Sequence, residues 1–158
     1  MTRVCLVGTE DANLRYELLS RETARNALAT YDLREPFENT LTLETVSLGA
    51  AVSLLNDLNW YLVRFTETAF VLEPSISETE WLSRDLAAAV RDDEVEPAET
   101  DRFLQVYGIE ESDEEFESPP RLVEPMLVTR TGDTIPEYDL RDVDDTLVVR
   151  VTQAEFGA

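Results

Sequence analysis

The feature that most constrains the fold is an apolar stretch at residues 59–74, near the middle of the chain. Residues 60–65 and 69–72 are two short apolar runs, and Thr66-Glu67-Thr68 lies between them. A spacer of this length is typical of a hairpin loop, although the usual glycine is missing. Both faces of each run are largely apolar, so a two-residue period leaves neither face clearly exposed. We therefore predict a central hairpin over residues 60–72, covered on both faces, near the middle of a sheet.

The N-terminal half predicts alternating strands and helices. Thr2–Gly8 has the pattern of a buried strand, and Thr40–Val46 alternates apolar and polar residues as a half-exposed strand does. A helix that continues to about Thr30 is expected between them, which gives this half a βαβ-type order. Apolar residues recur at helical spacing over Leu48–Leu58 and predict a further helix.

Two helices are predicted after the hairpin. Ser77 and Glu80 have the spacing of a capping box, so we expect a helix over Ser77–Asp92. A shorter helix is expected to begin near Pro97 and to end before Gly108, because proline favours the first helical position and glycine the position after the last.

The chain divides into three parts by composition. Residues 1–108 form the main α/β core, residues 109–121 form an acidic linker closed by two prolines, and residues 122–158 form a C-terminal β segment. We expect this segment to belong to the same domain, and whether its strands join the main sheet is left open. The fold class predicted is α+β, with a single mixed sheet and helices packed on it. The strands of the C-terminal β segment are expected at Met126–Arg130, Thr134–Tyr138 and Thr146–Thr152.

The net charge is extreme. The chain has 34 acidic residues and 13 basic ones, all of them arginine, for a net charge of −21, and it has no lysine or histidine. Carboxylates at this density repel one another in dilute buffer, but in roughly 1 M salt the Debye length is about 3 Å and the repulsion is screened. This balance predicts a halophilic protein of a high-salt cytoplasm. An acidic mesophilic protein would account for the charge but not for the missing lysine.

The composition also bears on localisation and chemistry. We expect neither a leader sequence nor a membrane segment, because the sequence shows no leader pattern and no apolar run of sufficient length. The single cysteine, Cys5, lies in an apolar run and is expected to be buried. Without histidine the chain has no Ser-His-Asp or Cys-His arrangement, and without lysine it has no P-loop lysine or Schiff base. We therefore expect no enzyme activity and no cofactor.

The arginines near the N-terminus are the first candidate site. Residues 1–34 have five arginines and five acidic residues, so they are neutral, and the remainder carries the whole charge of −21. A neutral, arginine-rich first helix on an acidic protein predicts a surface that binds a partner protein or a second copy, since arginine is enriched in interfaces. The simpler alternative is that these arginines pair with acidic residues of other elements. The candidate residues are Arg15, Arg21, Arg25 and Arg34.

The second candidate site is an acidic run before the last strand. In an extended segment Asp142 and Asp144 would point the same way, and with Asp145 they could supply oxygen ligands to Mg²⁺ or Mn²⁺. An acidic turn that leads into the strand is the alternative, because carboxylates are the commonest side chains here.

The histidine- and lysine-free composition and the Asn59–Leu72 run make the whole chain resemble haloarchaeal acidic proteins of unknown function. The resemblance includes no specific motif and implies no functional residue. The predicted function is a non-enzymatic interaction or regulatory module of a high-salt cytoplasm, which binds a protein partner or itself through the first helix. A nucleic-acid-associated protein that uses the same arginines is the alternative, and a carboxylate-dependent metal enzyme is the third hypothesis.

Overall fold

The computed structural model describes residues 1–111 and 119–157, and in them one seven-stranded sheet carries six α-helices. The helices are α1 Leu14–Leu19, α2 Glu22–Leu28, α3 Leu48–Asp57, α4 Asn59–Phe65, α5 Arg84–Arg91 and α6 Gln153–Phe156, with a 3-10 turn at Pro97–Glu99. The strands are β1 Thr2–Gly8, β2 Thr40–Thr45, β3 Thr66–Leu72, β4 Trp81–Ser83, β5 Phe103–Glu110, β6 Arg121–Thr129 and β7 Asp145–Arg150.

The strand order is β2-β1-β3-β4-β7-β5-β6. Every neighbouring pair is antiparallel except β4 and β7, which are parallel. The prediction of an α+β fold with one mixed sheet is therefore confirmed. The C-terminal strands β6 and β7 lie in this sheet, and β7 lies between β4 and β5.

The predicted central hairpin over residues 60–72 is wrong. Its first half is the helix α4, and its second half, together with the predicted loop, is the strand β3. The reason is that Leu58 and Leu62, four residues apart, are both buried, while Trp60 and Val63 are exposed, which is the burial pattern of a helix. The strand β3 pairs with β1 over its whole length instead of with residues 60–65.

The N-terminal half also differs from a βαβ unit, because β1 and β2 are adjacent and antiparallel. Asn39, just before β2, joins the start of β2 to the end of β1. Its side-chain amide donates to the carbonyl oxygens of Thr9 and Ala12 and accepts from the N–H of Leu14, each at 2.9 Å. Gly8 is required at this point, since a Cβ atom there would lie 2.5 Å from the Asn39 side chain.

The predicted helix over Ser77–Asp92 begins later than expected. The Ser77 hydroxyl accepts a hydrogen bond from the Glu80 N–H at 3.0 Å, as in a capping box, but residues 81–83 continue as β4. The helix α5 begins at Arg84, with Ser83 as its N-cap. The Glu80 side chain does not reach back to close the box, because it binds two arginines from distant strands.

The C-terminal predictions are mixed in outcome. The short helix predicted before Gly108 is a 3-10 turn followed by β5, which contains Gly108. The predicted linker at 109–121 overlaps the end of β5 and the start of β6, and residues 112–118 lie outside the described residues. The strand predicted at Thr146–Thr152 is confirmed as β7, whereas Thr134–Tyr138 forms only an isolated bridge from Thr134 to Thr131.

The sheet has an apolar core on each face. All helices from α1 to α5 contribute to the core on one face, with Leu14, Leu28, Leu55, Leu62 and Leu86 packed against β1 and β3. The other face buries Cys5, Phe70, Trp81, Tyr107 and Val149. The Glu38 N–H donates to the Pro120 carbonyl at 2.8 Å, just outside the two edge strands. Seven flat strands would separate those edges by roughly 29 Å, so the sheet must be curled.

Candidate interaction surface

The helices α3 and α4 follow each other with one residue between them. The Ser47 hydroxyl caps α3 by accepting from the Ala50 N–H at 3.1 Å. Leu58 joins the two helices and is buried, and Leu62 anchors α4 on the core. The backbone of Thr66 is extended and ends α4, and both its N–H and its hydroxyl donate to the Leu62 carbonyl. These contacts fix α4 with one side on the core and the other toward solvent.

The outward side of α4 exposes large apolar side chains. Trp60 is 51% exposed and Val63 is 69% exposed, and they lie three residues apart on one face. The Arg64 guanidinium lies 3.8 Å from the centre of the Trp60 ring and donates to the Trp60 carbonyl at 2.7 Å. Phe65 meets the Trp60 ring edge-on, with 6.5 Å between ring centroids. An arginine therefore covers one face of an exposed tryptophan.

A second arginine reaches the same aromatic cluster from the start of α2. The Arg21 guanidinium lies 4.8 Å from the centre of the Phe65 ring and forms an ion pair with Glu17 at 2.9 Å. Its Nε atom is buried and has no hydrogen-bond partner among residues 1–111 and 119–157. We call Trp60, Val63, Arg64, Phe65 and Arg21 the α4 surface.

The charge of this part of the chain differs from the rest. Residues 46–66 contain one acidic residue, Asp57, and one arginine, Arg64, so they are neutral and the rest of the chain carries all of the −21. In the part of the chain that the structure describes, no acidic side chain is buried. Carboxylates from other elements nevertheless border the α4 surface, because Val63 shares a cavity with Glu67, Asp85 and Glu155, and Glu17 pairs with Arg21. A partner that approaches α4 therefore meets aromatic rings and guanidinium groups with acidic side chains beside them.

Of the four arginines predicted to bind a partner, the structure places only Arg21 in the α4 surface. The single first helix expected from the sequence is bent at Ser20 and Arg21, and Arg21 is extended as the N-cap residue of α2. Arg15 pairs with Glu35 at 3.7 Å and Arg34 pairs with Asp32 at 3.1 Å. Arg25 is exposed and has no ion pair with any residue whose position is described.

The predicted metal ligands do not form a cluster. Asp145 is the first residue of β7 and lies opposite Ile109 of β5, while Asp142 and Asp144 are exposed in the preceding loop. Over residues 1–111 and 119–157, no group of three or more carboxylate or cysteine side chains is placed to hold a metal ion. We therefore find no geometry here that supports a metal site.

Among the ion pairs of the described residues, the most enclosed are those of Glu80, which binds two arginines. Its carboxylate accepts from Arg130 at 2.5 Å and from Arg150 at 2.8 Å, and all three side chains are 15% exposed or less. Burial alone would raise the pKa of Glu80, but the hydrogen bonds from the two arginines outweigh it and lower that pKa. Arg150 also donates to the Thr100 hydroxyl at 2.9 Å. We call Glu80, Arg130 and Arg150 the Glu80 cluster, and it joins the β3–β4 connection to β6 and β7.

Two other side chains that could be reactive, Cys5 and Tyr107, are buried in the core. Burial raises the pKa of the Cys5 thiol to about 12, so it does not supply a thiolate near neutral pH. Burial, with a smaller contribution from the charge of Glu67, raises the pKa of Tyr107 above its ordinary value. A groove of about 820 Å³ beside β2 is lined by Trp81 and Leu147. Both of its arginines pair with carboxylates of the same groove, Arg3 with Glu44 at 3.3 Å and Arg34 with Asp32 at 3.1 Å.

The fold and this surface define an α+β protein with an exposed aromatic and arginine patch. The chain belongs to DUF5804, a family of unknown function, whose pattern matches residues 2–109. The matched part runs from β1 to Ile109, the last residue but one of β5, and therefore includes the whole α4 surface. No curated protein and no solved structure matches the chain. None of the described helices is both long enough and apolar enough to cross a bilayer.

The sequence contains a signal for this surface, which is missed when residues 59–65 are assigned to a strand with a two-residue period. Trp60 and Arg64 are four residues apart, as are Leu58 and Leu62. In a helix the first pair stacks on the surface and the second pair faces the core. An assignment of 59–65 as a helix would have placed the aromatic residues and Arg64 together.

Proposed function

We propose that the protein is a non-enzymatic interaction module of a high-salt, halophilic cytoplasm, and that it binds a protein partner through the α4 surface. The observation that supports this most is the exposure of Trp60 and Val63 on a short helix whose other side is firmly anchored in the core. Tryptophan and arginine are the residues most enriched among those that dominate binding energy in protein interfaces.

The position of Arg64 supports binding rather than a purely structural role. An arginine stacked on an exposed ring keeps most of its N–H groups free for hydrogen bonds to carbonyl or carboxylate groups of a partner. Arg64 makes no ion pair with the residues that the structure describes. Arg21 makes one, with Glu17, and its side chain is 41% exposed.

The high-salt setting rests on the charge. At −21, a compact state is opposed by self-repulsion that salt screens. We expect the free energy of unfolding to rise as KCl is increased from about 0.1 M to about 3 M, as followed by thermal or urea unfolding. A chain that is equally stable in dilute buffer would contradict the halophilic part of the proposal.

The binding part is tested by affinity capture from a molar-salt lysate of the source cells. The wild type is compared with Trp60→Ser/Val63→Ser and with a control, Val46→Ser/Leu140→Ser, whose residues are 80% and 45% exposed elsewhere. We expect the wild type and the control to retain the same partner, and the α4 variant to lose it. Equal capture by all three chains would overturn the proposal.

The nucleic-acid alternative is an outcome of the same experiment. Arginines beside aromatic rings also bind single-stranded nucleic acid, although molar salt weakens the contribution of phosphate contacts. Treatment of the lysate with nuclease before capture separates the two. Loss of the captured material after nuclease would replace the protein partner by a nucleic acid.

A further inference from the structure

We infer that the two edges of the curled sheet meet in a seam that opens in dilute buffer while the rest of the sheet stays folded. The seam consists of Phe37 and Glu38 before β2, and of Pro120, Arg121 and Leu122 at the start of β6. We call it the β2–β6 seam. The inference does not involve the α4 surface, and it goes beyond the proposed function by giving the fold a conformational response to salt.

The backbone holds the β2–β6 seam weakly. The Glu38 N–H donates to the Pro120 carbonyl at 2.8 Å, and in the described part of the chain this is the one backbone hydrogen bond between the two segments. By contrast, β6 pairs with β5, and β5 with β7, over most of their lengths. Phe37 and Leu122 are only partly buried against the core that contains Cys5. Each edge is therefore attached more firmly to its own neighbouring strand than to the other edge.

Carboxylates crowd a cavity beside the seam. The cavity has a volume of about 670 Å³, and its acidic lining residues are Glu10, Asp11, Glu35, Glu38 and Glu67. It is also lined by two arginines, so the five acids and two arginines give a net charge of −3. Arg15 pairs with Glu35 at 3.7 Å. Arg121 is bound to Glu110 of β5 at 2.6 Å, so the strand end that closes the seam adds no net positive charge.

This arrangement makes closure of the seam depend on salt. At an ionic strength of 0.1 M the Debye length is about 10 Å, so carboxylates around one cavity repel each other, whereas at 1 M it is about 3 Å and the repulsion is screened. When the seam is open, the same carboxylates can separate and are better hydrated. One backbone hydrogen bond and two partly buried side chains oppose the repulsion. We therefore expect a closed seam in molar salt and an open one in dilute buffer.

Cys5 is a native reporter of this opening. Its side chain is fully buried in the core that also contains Tyr107 of β5 and, at its border, Leu122 of β6. Movement of β6 away from the segment before β2 would admit solvent to this core, whereas the helices cover the core on the other face of the sheet. Cys5 is the only thiol of the chain, so its modification by a thiol reagent measures the population of open states.

Reaction of Cys5 with dithiobis-nitrobenzoate tests the inference. The Cys5 thiolate attacks the reagent disulfide and releases one coloured nitrothiobenzoate, which is followed at constant pH. KCl is raised from the lowest concentration at which circular dichroism shows a folded chain to about 3 M, and urea unfolding at each concentration gives the reactivity that complete unfolding alone would allow. At the dilute end we expect Cys5 to react at least about tenfold faster than that value, and near 3 M the excess should disappear. Agreement with complete unfolding at every concentration would overturn the inference, as would an excess that salt does not reduce.

A thiol on the other face separates seam opening from general loosening. In Cys5→Ala/Ala51→Cys the only thiol lies in the helix-covered core, where Ala51 is fully buried. Its reactivity should follow complete unfolding at every salt concentration, as calculated from the urea stability of the same variant. An equal excess at residue 51 would mean that the whole fold loosens in dilute buffer, and would overturn the inference.

Two matched pairs of substitutions test whether the cavity carboxylates are the cause. Glu10→Gln/Glu38→Gln removes two charges from the cavity and keeps the Glu38 N–H, so the excess reactivity of Cys5 in dilute buffer should fall at least about threefold. Glu78→Gln/Glu94→Gln removes two exposed charges that do not line this cavity, and should leave the excess unchanged. Equal effects of the two pairs would overturn the inference. Capture through the α4 surface is measured separately, so the proposed function can fail or hold independently.

Discussion

The α4 surface and the Glu80 cluster use the same side chain for opposite purposes. In the Glu80 cluster, the side chains of Arg130 and Arg150 are 15% and 12% exposed. Their guanidinium groups bind one carboxylate, and the cluster joins three segments far apart in sequence. In the α4 surface, the guanidinium groups of Arg64 and Arg21 lie on aromatic rings at the edge of solvent. In a chain whose only bases are arginines, residue type alone does not separate structural groups from binding groups.

The arginines of the two regions differ in the groups that would lose a partner if the arginine were removed. Removal of an arginine from Glu80 leaves a half-buried carboxylate with fewer partners, which is costly. Removal of Arg64 exposes one face of the Trp60 ring, and Trp60 is already partly accessible to water. The comparison therefore predicts different effects for substitutions in the two regions. Substitutions in the Glu80 cluster should lower the stability and leave binding unchanged, whereas substitutions in the α4 surface should weaken binding and leave the stability nearly unchanged.

The largest expected effect on stability is that of Glu80→Gln. The neutral amide keeps the shape but leaves two enclosed guanidinium groups without a charge partner, so we expect the free energy of unfolding to fall by about 2 kcal/mol. Urea unfolding in molar KCl measures the loss. The control is Glu78→Gln, an exposed neighbour, which should cost about 0.5 kcal/mol or less. Equal losses in the two variants would remove the structural role of the cluster.

Acid should abolish the difference between Glu80→Gln and the wild type. The pKa of Glu80 in the folded chain is lower than the ordinary value of 4.5, so its contribution to stability is present above that value and is lost as the pH falls through the folded pKa. The stabilities of the two chains should converge in urea titrations as the pH is lowered from about 5 through the folded pKa. A gap that stays constant over this range would show that the carboxylate charge is not what stabilises the cluster.

Arg64→Gln should affect stability least. An exposed cation–π contact contributes about 0.5 kcal/mol, so the unfolding midpoint should change little, while association through α4 should weaken measurably. Calorimetry and sedimentation on the same preparation give both values. A loss of stability comparable with that of Glu80→Gln would mean that the stack on Trp60 is part of the fold rather than of a binding surface.

The elements that could be predicted from the sequence are those whose pattern of apolar residues lies within the element itself. Thr2–Gly8, Thr40–Thr45 and Leu48–Asp57 were recognisable from a short apolar run, an alternating run and helical spacing respectively. The prediction that Thr40–Thr45 is half-exposed is wrong, because five of its six residues are buried between β1 and the helices. The segment 59–65 was not, because a short run in which five of seven residues are apolar fits a buried strand and a helix equally well. Its helical state depends on Leu58 and Leu62 packing together on a core built mostly by other segments.

Other errors come from contacts between residues distant in sequence. The Ser77–Glu80 spacing forms its local hydrogen bond, but the Glu80 carboxylate binds Arg130 and Arg150, and no local rule anticipates that. The single first helix that was predicted to carry the arginines is wrong, because a bend at Ser20 and Arg21 divides it into α1 and α2. Arg21 remains a candidate since it reaches Phe65, a residue of the segment that the sequence assigned to a strand.

The separation of binding from folding is tested most directly by sedimentation velocity of the fluorescently labelled chain in a clarified molar-salt lysate, which reports any assembly whatever the partner. Wild type and Glu80→Gln, kept below its melting temperature, should both sediment faster than a 17.9 kDa monomer. Trp60→Ser/Val63→Ser should sediment as the monomer while its unfolding free energy stays within about 1 kcal/mol of the wild type. Identical sedimentation of wild type and the α4 variant would contradict the account.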